Sequence, residues 1–358
     1  MDYESFKEKF TEDLRDRLYE QGMEADVSIR PVNKLNESYE AVTVTPEGNN
    51  IGVNIPIDRI YEEVNAGTSY DKAMDRTVDL IKNGLEQKPD LDVDTLSDYS
   101  KMKEMLAMEV VSAEANKEML ETLPHKDLED MAIVYRFVVT SDEEGRASIL
   151  VTNKMIESMG VTPEQLHADA MENAPVIRPV ENKGMSEVMA EQVGVEQAEM
   201  MRLYPVPPEE EHMFVATVPD KVHGASVIAY QDFMDKAAEK IGGDFFILPS
   251  SLHEVLIVPD DGRSNLYDLE KMVREVNDTQ VAPADKLTDS VYHYDSKDKI
   301  FELGRKFVER QQNREADREK EPEKPSVLGK LKEKKEEIAK APKKDAIDKG
   351  AKTKEAAL

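Results

Sequence analysis

Residues 242–262 read GGDFFILPSSLHEVLIVPDDG, and the fold class turns on how that stretch is taken. FFIL (245–248) and VLIV (255–258) are continuous apolar runs, the pattern of strands buried on both faces. The six residues between them, PSSLHE, are long enough for a hairpin loop. Gly242 and Gly243 stop a preceding helix, and PDDG supplies a turn after which Ser264 or Asn265 caps the next one. That next helix places Leu266, Leu269, Met272, Val273 and Val276 on its inner face.

The same alternation of short strands and amphipathic helices runs toward the N-terminus. Tyr3, Phe6, Phe10, Leu14 and Leu18 form one stripe at helical spacing, ended by Gly22. DVSIRPV (26–32) and YEAVTVTPEGNN (39–50) switch to a period of two with turn residues after them, and IGVNIPI (51–57) offers a third strand. Ser69 caps a helix carrying Ala73, Met74, Val78, Ile81 and Leu85 inward, and residues 88–98 read as a connection. MLAMEVVSA (105–113) and a short helix ending near LPH (123–125) precede MAIVYRFVV (131–139) and RASILVTN (146–153), a hairpin about the turn SDEEG. Thr162, Pro163 and Gln165 occupy cap, N1 and capping-box positions, with the Thr hydroxyl and the Gln side chain satisfying open amides reciprocally. They start a helix to about Asn173.

Beyond a Pro-containing, Met-rich stretch (175–212), MFVATV (213–218) and ASVIAY (225–230) read as a second hairpin. It leads into a helix presenting Tyr230, Phe233, Met234, Ala237, Ala238 and Ile241. ASILVTNKM (147–155) and ASVIAYQDF (225–233) both place Ala-Ser at a strand start, which suggests a repeated hairpin-helix unit. Ile300, Phe301, Leu303, Phe307 and Val308 suggest one more helix, and the Lys/Glu-rich chain from about Arg314, broken by Pro322, Pro325 and Pro342, reads as a disordered tail. Within it SVLGKLKEKKEEIAK (326–340) sets Leu328, Leu331 and Ile338 amid charges, a short helix or coiled coil that forms on a partner. The expected fold is therefore α+β, antiparallel hairpins with helices packed on one face. Its parts are an N-terminal region (1–95), a hairpin-helix unit (96–182), a connecting segment (183–212), a second such unit (213–305) and a charged tail (306–358).

Composition narrows the function. The 358 residues carry 39% hydrophobic and 34% charged residues, no Cys and no Trp, so no thiolate chemistry, disulfide frame or Cys-bound metal is available. Methionine, at 18 residues, reads as core filler, as at Met102, Met105, Met108 and Met119. Neither a leader sequence nor a membrane-length apolar run is present, which makes the cytoplasm the expected location. The net charge of −28 divides into −31 over residues 1–310 (33 basic, 64 acidic) and +3 over 311–358 (14 basic, 11 acidic). So acidic a folded part repels phosphate backbones, and direct nucleic-acid binding is not expected of it.

Specific catalytic signatures are missing. PSSLH lacks the G-x-S-x-G elbow that would expose Ser250 or Ser251 as a nucleophile. His253 and Glu254 are adjacent, so on a strand they point to opposite faces, and no H-E-x-x-H helix occurs. Asp260, Asp261 and Gly262 lack the later oxygen ligands of a calcium loop. No Gly-rich phosphate loop is present, and no cofactor is implied. His253 at the loop edge and His125 remain as weak catalytic candidates, and Leu328, Leu331 and Ile338 as candidate partner contacts.

Three blocks, LPHKDLEDMAIVYRFVV (123–139), ASILVTNKMIESMGVTPEQLHADAMENAPVIRP (147–179) and 242–262, resemble an uncharacterised bacterial family known only as a domain of unknown function. The resemblance covers roughly residues 1–280. Members of that family occur in anaerobic gut Firmicutes, often on integrative and conjugative elements, and the tail resembles tails of other proteins of such elements. It implies a cytoplasmic protein in a mobile-element setting, with no catalytic residues to carry over. Together these features point to a non-enzymatic adaptor or regulatory protein that binds another protein. The alternatives are an acidic DNA mimic with an anti-defence role, whose carboxylates would form a phosphate-like stripe, and a hydrolase of unknown substrate using His253 or His125 with nearby carboxylates.

Overall fold

The computed structural model describes residues 1–49, 52–86, 96, 98–142 and 145–320. Most of the connection read at 88–98 and the whole of 321–358, with Leu328, Leu331 and Ile338, lie outside the described residues. Met1–Arg305 is one compact unit, and the described residues beyond it, 306–320, belong to a second.

The first unit opens with helix α1 (Tyr3–Glu20), whose Asp2 side chain accepts from the Ser5 amide and whose Phe6, Phe10, Leu14 and Leu18 are buried. Strands β1 (Ala25–Lys34), β2 (Glu37–Pro46) and β3 (Val53–Pro56) form an antiparallel sheet in that order. Val27 opposes Val44 and Val42 opposes Ile55, so one face is apolar. That face, α1, α2 (Ile57–Asn65) and α3 (Tyr70–Glu86) close a single cluster. Helix α2 is an addition to the sequence reading. Its short stripe, Ile57 and Ile60, runs on from the strand without a side-chain cap to mark the change.

A second sheet is built on the long strand β6 (Met131–Asp142). After α4 (Tyr99–Met102) and a 3₁₀ turn (Lys103–Met105), β4 (Leu106–Ser112) pairs along one edge of β6. Helix α5 (Lys117–Leu120) leads to β5 (His125–Leu128), which takes one half of the other edge, while β7 (Gly145–Leu150) takes the other half. Helices α6 (Asn153–Met159) and α7 (Pro163–Ile177) follow. The Thr162 hydroxyl accepts from the Gln165 amide at 3.2 Å as expected, but the Gln165 side chain bonds Asp169 at 3.0 Å instead of completing a reciprocal box. The helix runs four residues past Asn173, through Pro175, to Ile177.

The third sheet has six antiparallel strands, in spatial order β13 (Ile300–Leu303), β12 (Tyr292–Asp295), β10 (Phe245–Leu248), β11 (Val255–Pro259), β9 (Phe214–Thr217) and β8 (Glu181–Gly184). At its centre β10 (Phe245–Leu248) and β11 (Val255–Pro259) pair as the hairpin expected from 242–262, with Phe245 opposite Pro259 and Leu248 opposite Leu256. Strand β8 (Glu181–Gly184) pairs β9 (Phe214–Thr217). Helices α8 (Met185–Val193) and α9 (Val195–Met201) are threaded between those two strands. One core cluster runs from Met108 and Tyr135 of the second sheet through Leu166 and Ala170 of α7 to Phe245, Ile257 and Tyr292 of the third.

Three local readings are corrected. ASVIAY is a 3₁₀ helix (Gly224–Ala229), and the repeated hairpin therefore loses its second strand while α10 (Gln231–Ile241) stands as read. Its residues Ala225 to Ile228 are buried on every side, so the run carries no periodicity that separates strand from helix. Ile300–Leu303 is strand β13, paired with β12 (Tyr292–Asp295) through a turn in which Lys299 takes φ 54°, and only from Gly304 does the chain become helical, as α12 (Gly304–Lys320). On α11 (Leu266–Thr279), capped by Asn265, Met272 is exposed and Asn277 takes a buried position, its amide held by the Thr288 carbonyl at 2.8 Å.

The β1–β2 turn anchors the first sheet to the second and third. Asn36, at φ 63° in the β1–β2 turn, donates from its backbone to Asn116 Oδ1 (2.7 Å) and from its side chain to the carbonyls of Ala284 (3.2 Å) and Lys286 (3.3 Å). Asn116 returns a bond to Asn36 Oδ1 at 2.5 Å, and the neighbouring Leu35 is buried among Val111, Leu120 and Val134.

Candidate functional site

The histidine singled out in the β10–β11 loop does sit in a polar cluster. His253 Nδ1 accepts from the His223 amide at 3.3 Å, and its Nε2 faces Asp285 Oδ1 at 3.3 Å. The His223 and His253 rings lie 5.9 Å apart, and His223 Nδ1 is 3.9 Å from Glu109 Oε2. Glu109 is 1% exposed and is met by Arg136 Nε at 2.6 Å. Gly224 is required beside the cluster, because a Cβ there would collide with Thr217 Oγ1 and the His253 carbonyl.

The bonding in this cluster ties loops together. His253 Nδ1 accepts from the His223 backbone and its Nε2 lies 3.3 Å from the Asp285 carboxylate, so both ring nitrogens face groups of this chain. Ser251 Oγ accepts from the His253 amide (3.0 Å) and donates to Glu254 (3.3 Å), so its hydroxyl meets a carboxylate and not an imidazole. Thr217 Oγ1 donates to the His253 carbonyl at 2.7 Å, and Ser226 to that of His223 at 2.7 Å. His125 stands in β5, with Nδ1 3.0 Å from the Leu123 carbonyl and Nε2 4.0 Å from Asp127. Among the described residues, no three His, Asp or Glu side chains gather as a metal site.

A different feature follows from the topology of the third sheet. β8 and β9 are direct partners, Gly184 opposite Phe214, yet residues 185–213 separate them. Hairpin strands need only about two to five residues of loop, so this connection is an arm added to the sheet. Its base is knotted. Glu211, 9% exposed, accepts from the Ser186 amide at 3.2 Å and the Ser186 hydroxyl at 2.5 Å, placing a carboxylate at the N-terminus of α8. Ser186 Oγ in turn accepts from the Val206 amide at 3.2 Å, fastening the returning chain. Gly184 has no side chain to spare, since a Cβ would strike the Glu211 carboxylate.

Within the arm, Gly194 at φ 80° turns α8 into α9, and Ala198 is the residue of α9 that is buried. Met185, Val188, Val193 and Leu203 are half-buried, whereas Val195 is 78% exposed, Met200 83% and Met201 62%, with Met189, Tyr204 and Val206 exposed as well. A cavity of about 310 Å³ opens between α8 and the sheet, floored by Val215 and Leu256 and walled by Met185 and Val188. Glu181 and Glu254 stand at its rim, with Lys221 and with Lys183, which Glu191 holds at 2.6 and 2.8 Å.

In the sequence this arm reads as a plain connecting segment (183–212). Its signal was the density of methionine in 185–201, which composition alone assigned to cores. The chain belongs to a family of unknown function (DUF5688), matching it over residues 3–296. No curated protein and no solved structure matches the chain. Among the described residues, no helix is long and apolar enough to cross a membrane.

Proposed function

We propose that the protein is a non-enzymatic adaptor or regulatory protein that binds another protein through the arm at 185–206, in the cytoplasm of a bacterium and as part of a mobile genetic element. The observation that carries this reading is the exposed Met, Val and Tyr surface mounted on a knotted insertion between two paired strands. Large apolar side chains gathered on one exposed element mark interaction surfaces, and methionine adapts its shape to a partner better than other apolar residues.

The test places a photo-crosslinking side chain at Val195 and, as control, at Leu80 on α3, which is 44% exposed. In lysate of the source cells, an adduct of one size from Val195 and none from Leu80 is expected. The same pattern from both positions, or no adduct from either, refutes the reading. The chain shortened to residues 1–310 tests separately whether Leu328, Leu331 and Ile338 supply a second contact.

A further inference from the structure

Resting on that reading, we infer that the arm's partner presents a basic amphipathic α-helix. Three observations select this occupant: charge, the state of the sheet edge, and the cavity beneath α8.

Residues 181–212 contain eight glutamates against Lys183 and Arg202, a net charge of −6 on a segment that also exposes Val195, Met200 and Met201. Apolar side chains ringed by one sign of charge favour a ligand with apolar side chains ringed by the other. Such a surface repels an acidic partner, a second copy of this chain included, because residues 1–310 carry −31.

An extended peptide could instead add a strand to β8, but that edge is short and one of its outward groups is already engaged. The Met185 amide donates to the Met213 carbonyl at 2.8 Å, which makes the alternate residues Lys183 and Glu181 the ones bonded to β9. The backbone groups of Asn182 therefore point away from the sheet, and Lys240 Nζ already takes the Asn182 carbonyl at 2.7 Å. With one of the few outward carbonyls of this four-residue strand engaged, the partner must approach over the face, where helix-in-groove packing is the recurrent solution.

The cavity beneath α8 supplies the anchor. At about 310 Å³ it lies at the small end of binding cavities, roughly 300–1,000 Å³, a size suited to one or two large apolar side chains. Val215, Leu256, Met185 and Val188 give it an apolar interior. Glu181, Glu191 and Glu254 line it with Lys183 and Lys221, and because Glu191 holds Lys183, the remaining charges leave one carboxylate in excess for a lysine of an inserted helix. Met200 and Met201, on the next helix α9, are exposed apolar side chains of the same arm.

The experiment titrates the full chain, by fluorescence anisotropy at physiological salt, with a labelled Leu/Lys peptide of about five helical turns whose leucines recur at i, i+3, i+4 and i+7. Two controls are a scrambled peptide of the same composition and a Glu-for-Lys counterpart. The amphipathic basic peptide is expected to bind, and the double variant Met200→Ser/Met201→Ser and the cavity variant Val188→Ser each to weaken it by about tenfold or more. Both variants preserve charge, so general attraction to an acidic protein cannot produce that loss, and an unchanged melting curve for the double variant shows that the fold is intact. Equal binding of the scrambled peptide, binding of the acidic peptide, or full affinity in both variants overturns the inference. If Val195 crosslinks a partner while the basic peptide fails to bind, the adaptor reading stands and this one falls. If neither occurs, both fall.

Discussion

The β10–β11 hairpin and the arm between β8 and β9 belong to the same sheet and use apolar residues in opposite ways. In the hairpin, Phe245, Ile247, Val255 and Ile257 are at or near 0% exposure, and their contribution is internal cohesion. In the arm, Met200 and Val195 are largely exposed, and the segment is held by buried Ala198 and by the polar bonds of Glu211, Ser186 and Lys183. Apolar surface removed from water stabilises by about 25 cal/mol per Å². The same surface left in water holds that free energy in reserve for a partner. The contrast separates residues that make the fold from residues that wait on it.

The sharpest way to break that contrast is to cut into the hairpin. Phe245→Ala should lower global stability by about 3–5 kcal/mol, as expected for deleting a buried ring, read from urea unfolding. A loss under about 1 kcal/mol would show the sheet centre to be less closely packed than its burial implies. Next is Glu109→Ala, which leaves the guanidinium of Arg136 against the second sheet without its 2.6 Å partner. About 3 kcal/mol is expected, toward the lower end for a broken buried pair because the Arg136 side chain is 19% exposed.

Glu211→Ala should cost about 1 kcal/mol, and its effect should be confined to the arm. Amide exchange in 185–206 should quicken while that of β10 and β11 is unchanged, and a uniform change across both would dissolve the distinction between them. A smaller effect divides the molecule by pH. Burial of His167 on α7, with help from the nearby Lys126 charge, lowers its pKa from the usual histidine value. Its Nδ1 lies 3.0 Å from the Tyr135 hydroxyl and its Nε2 3.1 Å from Lys126 Nζ. The folded state thus prefers the neutral ring, and below about pH 6.5 the unfolded chain takes up the proton first. Stability falls on acidification through that point, and His167→Gln should flatten this part of a melting-temperature profile. Last, Met200→Ser/Met201→Ser should move stability by less than about 0.5 kcal/mol while abolishing crosslinking at Val195, the mirror image of the Phe245 result.

Much of the fold was legible because periodicity and burial coincide. The stripe Phe6, Phe10, Leu14, Leu18 is all buried on α1, and FFIL and VLIV became the paired strands expected of runs without polar interruption. The cap residue Thr162 worked for a local reason that needs no tertiary knowledge. Legibility failed where tertiary surroundings decide. ASVIAY is apolar but for Ser226, which is also buried, and is packed against both β4 and β9, so nothing within it distinguishes a strand from a 3₁₀ helix. Ile300–Leu303 became a strand because a turn at Lys299 carries it back along β12. Strand β5, HKDL, was missed since its side chains are mostly exposed and only its backbone pairing to β6 defines it.

The candidate site was less legible than the fold. His253 was visible as an unusual residue at a loop edge, but the carboxylate and amide that engage its ring come from Asp285 and His223, distant in sequence. The arm was invisible for a different reason. Exposed and buried methionines have the same letter, and only the pairing of Gly184 with Phe214 shows that residues 185–213 are an insertion.

That pairing makes the arm a detachable cassette. Gly184 and Phe214 are already neighbours across the sheet, so the scaffold closes whether the span between them is two residues or many. Loop-closure entropy rises by only about 0.6 kcal/mol for each doubling of length. A different helical segment, spliced between the same two strands and tied by the same Ser186–Glu211 clasp, would change what is recognised without renegotiating the architecture beneath it.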